Sequence, residues 1–291
     1  MKELIFGILS STFILVLFRV FPKYKVNTFQ AVVFNYFTAF TFGLIFYGNQ
    51  FNQQAFQELS WLPYSIISGI LLIALFLVIG ISAQKNGISF TSIVSKMSMS
   101  VAVCLMILFY KEPLTLLKIS GIALAFVGII SISWKKSSKG VKRNTQFISL
   151  LIFLFVGGGI LDFIFNYTQN YHLKNLSTPL FSAISFGFSG LIGISILMIQ
   201  ITRKKQHFHY RNVIAGILLG VPNFFSVYLL MSAYSTLGWN DSTVITVMNV
   251  SVVLMAFFIG VLIFKESFTR LKAFGLFASL TSIILLYLAS I

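Results

Sequence analysis

Ten apolar runs, each about twenty residues long, constrain this chain more than any other feature. A helix needs about 20 mainly apolar residues to cross the hydrocarbon core of a bilayer. The regular alternation of a membrane barrel strand is absent from the runs, and a helix satisfies its own backbone in lipid. The sequence therefore predicts an all-α polytopic membrane protein with ten transmembrane helices. The runs cover roughly residues 4–21, 28–48, 62–84, 89–110, 114–134, 147–169, 178–200, 212–235, 242–264 and 270–290.

Composition and charge agree with this class. Hydrophobic residues make up 57% of the chain and charged residues only 9%, which is more apolar surface than a soluble domain can bury. The net charge of +15 comes from lysines and arginines clustered in short loops, where they set orientation and face lipid phosphates. We therefore expect a multi-pass protein of the cell membrane, the inner membrane in a Gram-negative source, with the bilayer and not nucleic acid as its partner. The basic bias places the loops after odd-numbered spans in the cytoplasm and both termini outside.

Two turns repeat each other without gaps. "KEPLTLLKISG" (111–121) aligns with "KESFTRLKAFG" (265–275), and each copy follows an apolar run. A carboxylate stabilises a helix N-terminus and a threonine can cap it, so both turns are predicted to start the next helix. The matched residues with these structural roles are Glu112, Thr115 and Gly121 in the first turn, and Glu266, Thr269 and Gly275 in the second.

The matched turns follow spans four and nine, so the repeat unit has five spans. Because five is odd, the second copy enters the membrane from the opposite side, which gives a 5+5 inverted-topology repeat of the kind used by many transporters. The predicted organisation is a first five-helix repeat over 1–134, a basic linker over 135–146 and a second five-helix repeat over 147–291.

These turns, with five plus five spans, resemble the EamA-like members of the drug/metabolite transporter superfamily. The resemblance is carried by "FYKEPLTLLKISGIALAFVGI" (109–129) and "IFKESFTRLKAFGLFASLTSI" (263–283), in which an acidic residue, a helix-start polar residue and a glycine follow an apolar span. The resemblance covers the whole chain in architecture and the two turns in motif. It implies a secondary carrier for small solutes, with a central cavity lined by spans from both halves.

Two charges lie deep within predicted spans: Lys96 in span four and Asp162 in span six. A charge near the bilayer centre costs at least ~2.5–3.5 kcal/mol, so such residues usually face the bundle interior or a watery cavity. Three interpretations remain open. Lys96 and Asp162 pair across a cavity, or Lys96 binds an anionic solute while Asp162 exchanges a proton, or the two charges are purely structural. Their positions along parallel spans differ in depth by ~10 Å, so a direct contact requires tilt or a bridging molecule.

Four further polar residues are candidate cavity contacts. Asn249 lies beside Val250, which corresponds to Lys96 at the repeat offset, and is the second half's polar counterpart. Asn166 lies in span six, Asn223 follows Pro222 in span eight, and Ser98 flanks the lysine. Single amides and hydroxyls in membrane helices also bond simply to neighbouring helices.

The predicted function is alternating-access transport of a small organic metabolite or drug-like solute, with protons as possible coupling ions. The alternatives are an integral-membrane enzyme, which would need a catalytic cluster within the spans, and a channel, which would need a ring of pore charges. The sequence predicts no enzyme activity, no cofactor and no metal site. Its three histidines lie in or beside loops, and it has no phosphate-binding glycine loop.

Overall fold

A computed structural model describes residues 1–48, 59–111, 114–133, 145–173, 177–203, 207–266 and 269–289. The described residues are helical with short connections, and helices occupy every one of the ten predicted runs. Among these described residues, seven helical segments are long and apolar enough to cross a membrane, so the chain is a multi-pass integral membrane protein. The helices are α1 (Lys2–Val20), α2 (Thr28–Tyr47), α3 (Leu62–Asn86), α4 (Ile88–Met97), α5 (Met99–Tyr110), α6 (Leu116–Ser133), α7 (Thr145–Tyr171), α8 (Thr178–Thr202), α9 (Tyr210–Thr236), α10 (Asp241–Leu262) and α11 (Arg270–Leu288).

The predicted fourth span is two helices and not one. α4 ends at Met97, Ser98 stands between, and α5 begins at Met99. A short 3₁₀ helix, Phe21–Tyr24, also joins α1 to α2, and the side chain of Asn27 caps α2 by accepting a hydrogen bond from the Gln30 N–H at 3.1 Å. These helix boundaries are set by polar side chains and by Pro22. The lengths of the apolar runs do not reveal them.

The helices form two compact units that each draw on both sequence halves. Unit 1 contains residues 1–84 and 164–237, and unit 2 contains residues 85–163 and 238–291. Each predicted five-helix half, 1–134 or 147–291, therefore contributes residues to both units. The helix α7 is itself divided between the two units. That the two halves are structural repeats of each other stays a prediction.

Unit 1 is held together by close contacts at glycines. On α9, Gly216 and Gly220 form a small-xxx-small pair against α2, and a Cβ at Gly216 would lie 2.7 Å from the Ala31 carbonyl oxygen. Such spacing lets helix backbones approach closely in a membrane. Between α3 and α8, the Ser189 hydroxyl donates to the Gly69 carbonyl oxygen at 2.8 Å. Small residues and helix-to-helix hydrogen bonds therefore hold this unit together.

Unit 2 is built from α4, α5, α6, α10, α11 and the first part of α7. Its apolar core joins α5, α6 and α10, and partly buried side chains of α11 pack against it. α6 and α11 also bond directly, because the buried Ser282 hydroxyl donates to the Gly121 carbonyl oxygen at 2.7 Å. The buried core residues are Met99, Ala125, Val250, Val253, Leu254 and Phe257.

The two matched turns share backbone geometry. Lys111 and Lys265 occupy the same position in the repeat, and both adopt the left-handed conformation, with φ of 51° and 53°. The Thr115 and Thr269 carbonyl oxygens each accept the backbone N–H four residues later, at 3.0 Å in both cases. α6 and α11 begin at matched residues, Leu116 and Arg270. The sequence repeat is therefore also a local structural repeat.

The predicted Thr115 cap is confirmed, because its hydroxyl accepts a hydrogen bond from the Lys118 N–H at 3.2 Å. Thr115→Ala removes one acceptor at the start of α6 and is expected to destabilise the protein by ~1 kcal/mol. Thr115→Ser keeps the hydroxyl and is the control, with little expected change in the thermal unfolding midpoint in detergent. Equal midpoints for the alanine variant and the wild type would contradict this role.

Candidate functional site

Lys96 lies on a short helix with an unusual hydroxyl stripe. Serines recur every third residue along α4, and three of them donate back to the carbonyl oxygen three residues earlier. Such back-bonding competes with the helical ladder and bends helices. It accounts for the interruption at Ser98, two residues after Lys96. The donating residues are Ser92, Ser95 and Ser98, with O···O distances of 2.9, 3.2 and 2.7 Å.

The interruption at Ser98 lies against two glycines of α7. A Cβ at Gly158 would lie 2.8 Å from the Ser98 hydroxyl oxygen, and one at Gly159 would lie 2.5 Å from the Ser98 carbonyl oxygen. These two glycines therefore let α7 pack closely against the bend in the lysine-bearing span.

Lys96 and Asp162 lie on either side of this close contact. Lys96 precedes Ser98 by two residues and Asp162 follows Gly158 by four, on segments that run in parallel. At 1.5 Å per residue the two positions are separated by ~9 Å along the helix axes. Both side chains are partly buried, and both belong to unit 2.

The two charges do not form an ion pair with each other. Within the described residues, the ion pair found within 4.0 Å joins the N-terminal amine to Glu3, and Lys96 and Asp162 form none. Of the interpretations left open by the sequence, the arrangement fits charges held apart better than a directly bonded pair.

Two other predicted residues belong to the same unit. Ser98 is 2% exposed, and its hydroxyl already bonds to the Ser95 carbonyl oxygen, so its observed role is the helix bend. Asn249 on α10 is 3% exposed. Its Nδ2 has no hydrogen-bond partner among the described residues, so it has unused donor capacity.

Asn166 and Asn223 belong to unit 1. Asn166 is fully buried on α7, and neither of its side-chain polar atoms has a partner in the described ranges. Asn223 follows Pro222 within α9, and its Nδ2 is likewise unpartnered there. Buried polar groups normally find a partner, so these amides have capacity for water or solute. The six predicted contacts are thus divided between the units, and their convergence on one site stays a prediction.

Sequence reasoning missed several buried polar groups in unit 1. Ser65 and Ser68 on α3 and Thr168 on α7 have buried hydroxyls without partners in the described part of the chain. The three-residue spacing of Ser65 and Ser68 was the available signal, since it places both hydroxyls on one helix face. In unit 2, Lys118 lies inside α6 and is only 1% exposed.

The residues of the two matched turns make different contacts in the structure. The Glu266 carboxylate accepts a hydrogen bond from the Ile88 N–H at 3.2 Å, so it stabilises the start of α4, a helix far from it in sequence. Gly121 packs against Leu286, and Gly275 is buried. Glu112 lies outside the described residues. In the described ranges, no three His, Cys, Asp or Glu side chains are grouped so as to hold a metal ion.

Two apolar grooves border α9 in unit 1. The larger, of 560 Å³, lies between α1 and α9 and includes Phe13, Pro222 and Phe225. The smaller, of 230 Å³, lies between α2 and α9. Neither lining set includes any of the six predicted contacts, so these grooves are distinct from the candidate site.

Comparison with known proteins decides the family. The model of the EamA-like transporter family matches residues 2–134 and 167–288. The chain belongs to the EamA-like transporter family. An uncharacterized protein of Haemophilus influenzae is 29% identical to this EamA-like protein over 292 residues, with 99% of this chain and 98% of the relative covered. A solved crystal structure superposes with a TM-score of 0.70 at 9% identity, covering 98% of this chain and 97% of that one, which is a similarity of fold alone.

Proposed function

We propose that this protein is a secondary transporter that moves a small organic metabolite or drug-like solute across the cell membrane by alternating access. Membership of a transporter family supports the class. The observation that carries the site is that Lys96 and Asp162, of opposite charge, are partly buried in one compact unit and form no ion pair within 4.0 Å among the described residues. Charges held apart in a membrane protein are available to a solute or a proton.

In this proposal, Lys96 binds an anionic group of the solute, and Asp162 exchanges the proton that drives export. The amides of Asn249, Asn166 and Asn223 supply neutral hydrogen bonds. The unused donors and acceptors on these three side chains support that assignment.

The proposed architecture is ten spans arranged as a 5+5 inverted repeat. The matched left-handed lysines and the matched starts of α6 and α11 support it. In alternating access, two inverted halves exchange roles as the open side changes.

A thermal-stabilisation screen tests this function. Purified protein is heated with a panel of organic acids, amino acids, nucleosides, amines and aromatic drugs. A solute that binds the native state at about a hundred times its Kd stabilises it by ~2.7 kcal/mol, so a bound class is expected to raise the unfolding midpoint by several degrees. Lys96→Ala should remove the shift for anionic hits, while Thr115→Ser retains it. A shift of equal size in Lys96→Ala would contradict the proposed role of the lysine.

A further inference from the structure

A carboxylate from one end of unit 2 anchors the helix that bears Lys96. Glu266 lies in the turn after α10, 178 residues from its hydrogen-bond partner, the Ile88 N–H at the start of α4. The turn itself is fixed, because the Glu266 N–H donates to the Gly260 carbonyl oxygen at 2.9 Å. Glu266 therefore links the last turn of α10 to the first turn of α4.

Two glycines make room for this carboxylate. Gly87, which precedes α4, has a φ of +93°, and a Cβ there would lie 2.8 Å from the Glu266 Oε1. A Cβ at Gly260 would clash with the Ser89 hydroxyl oxygen on α4, and it would lie 2.9 Å from the Glu266 Oε2 and 3.0 Å from its Cδ. The carboxylate thus occupies space that exists only because both residues lack side chains. The residue that precedes it, Lys265, takes the left-handed conformation.

The anchor matters because neither end of α4 is held by a side-chain cap of its own. The helix is ten residues long, and its N-cap is Gly87, which has no side chain to accept a hydrogen bond. Its other end is the bend at Ser98, where the helical ladder is already weakened by serine back-bonding. Lys96 lies eight residues from Ile88, about 12 Å along the helix. A shift or rotation at the anchored end is therefore transmitted to Lys96.

We propose that Glu266 is a positioning residue for Lys96. It holds the start of α4 against the end of α10, and so fixes where the lysine lies relative to Asp162. The functional value of this position rests on the proposed transport function. The mechanical link itself does not, because it is stated in terms of helix placement alone.

A thiol reporter at position 96 tests the link without any solute. Cys104 is the single native cysteine, so Cys104→Ala combined with Lys96→Cys leaves one thiol on α4. Its rate of reaction with N-ethylmaleimide in native membranes reports the environment of that position. The background then receives Glu266→Gln, Glu266→Asp, Gly260→Ala, or Glu266→Asp together with Gly260→Ala.

Geometry makes different predictions for these variants. Glu266→Gln keeps an oxygen at the same reach and should leave the labelling rate within about twofold of the background. Glu266→Asp keeps the charge but shortens the side chain, and Gly260→Ala crowds both the carboxylate and the Ser89 hydroxyl of α4; each should change the rate at least about threefold, in the same direction. The combined variant should change the rate by less than the two separate effects together, because both substitutions disturb the Glu266 contact and effects on one contact are not additive.

Ser282→Ala is the matched control. It removes the buried hydrogen bond between α6 and α11 in the same unit but does not touch the Glu266 contact, so it should lower stability and leave the labelling rate unchanged. The proposal is overturned by an unchanged rate in both Glu266→Asp and Gly260→Ala, by additive effects in the combined variant, or by an equal rate change in Ser282→Ala. If the transport function failed its own test, these labelling results would still decide the positioning role.

Discussion

Lys96→Met is expected to reduce transport of an anionic solute at least tenfold while the protein stays folded. Methionine has a similar length and its apolar side chain is well tolerated in a membrane helix, so the substitution removes the charge and changes little else. A hydrogen bond to a charged group contributes ~1.5–3 kcal/mol, which corresponds to a ~10- to 100-fold change in an equilibrium constant. The measurement is initial uptake into proteoliposomes, with the unfolding midpoint followed in parallel. Lys96→Arg keeps the charge and should retain part of the activity.

A variant that also changes Asp162 distinguishes a solute-binding lysine from a structural one. Breaking a buried direct ion pair costs ~3–5 kcal/mol, because one charge is left uncompensated. Since Lys96 and Asp162 form no ion pair within 4.0 Å in the described ranges, Lys96→Met should cost less than that. Lys96→Met with Asp162→Asn should not restore transport. If the double variant restored both stability and transport, Lys96 would be a structural residue and not a solute ligand.

Gly159→Ala is expected to destabilise the protein by ~1–3 kcal/mol and to impair transport as well. The added methyl group would lie 2.5 Å from the Ser98 carbonyl oxygen and 2.5 Å from the Val101 Cβ, and backbone at such a distance cannot simply rotate away. Overpacking of this kind forces helices apart, which would alter the spacing between Lys96 and Asp162. Thermal unfolding in detergent and uptake into proteoliposomes measure the two effects.

The control for this change is Gly190→Ala. There the nearest atoms to an added Cβ belong to the Phe37 ring at 3.4 Å, which is an ordinary contact. Its unfolding midpoint should stay close to that of the wild type. Equal midpoints for Gly159→Ala and the wild type would show that α7 and the bend at Ser98 are not tightly packed.

The helices were predictable because a bilayer imposes a length on them. Runs of about twenty apolar residues mark the helices whatever their packing, and each predicted run is helical, although the fourth is divided between α4 and α5. The Thr115 cap was predictable for a related reason, since its partner, the Lys118 N–H, lies only three residues away. Signals that are complete within one turn or one span can be read from one sequence.

Long-range contacts were not predictable in this way. Glu266 was assigned to the following helix, yet it bonds to Ile88, and no local pattern specifies which distant helix start a carboxylate will meet. The bend at Ser98 had a local signal, the serines at every third residue of α4, but the uninterrupted apolar run around it dominated the interpretation. The division into two units could not be predicted from the sequence either, because it depends on which helices pack together and not on their order in the chain.

Solute counterflow in proteoliposomes tests the central claim most directly. Vesicles are preloaded with an unlabelled solute identified by thermal stabilisation, and a trace of the labelled solute is added outside. A carrier that alternates access exchanges inner for outer solute, so the label should rise transiently above its equilibrium level inside, and Lys96→Met should abolish this overshoot. A monotonic approach to equilibrium would instead indicate a channel, and chemical conversion of the label would indicate an enzyme. Either result would contradict the account.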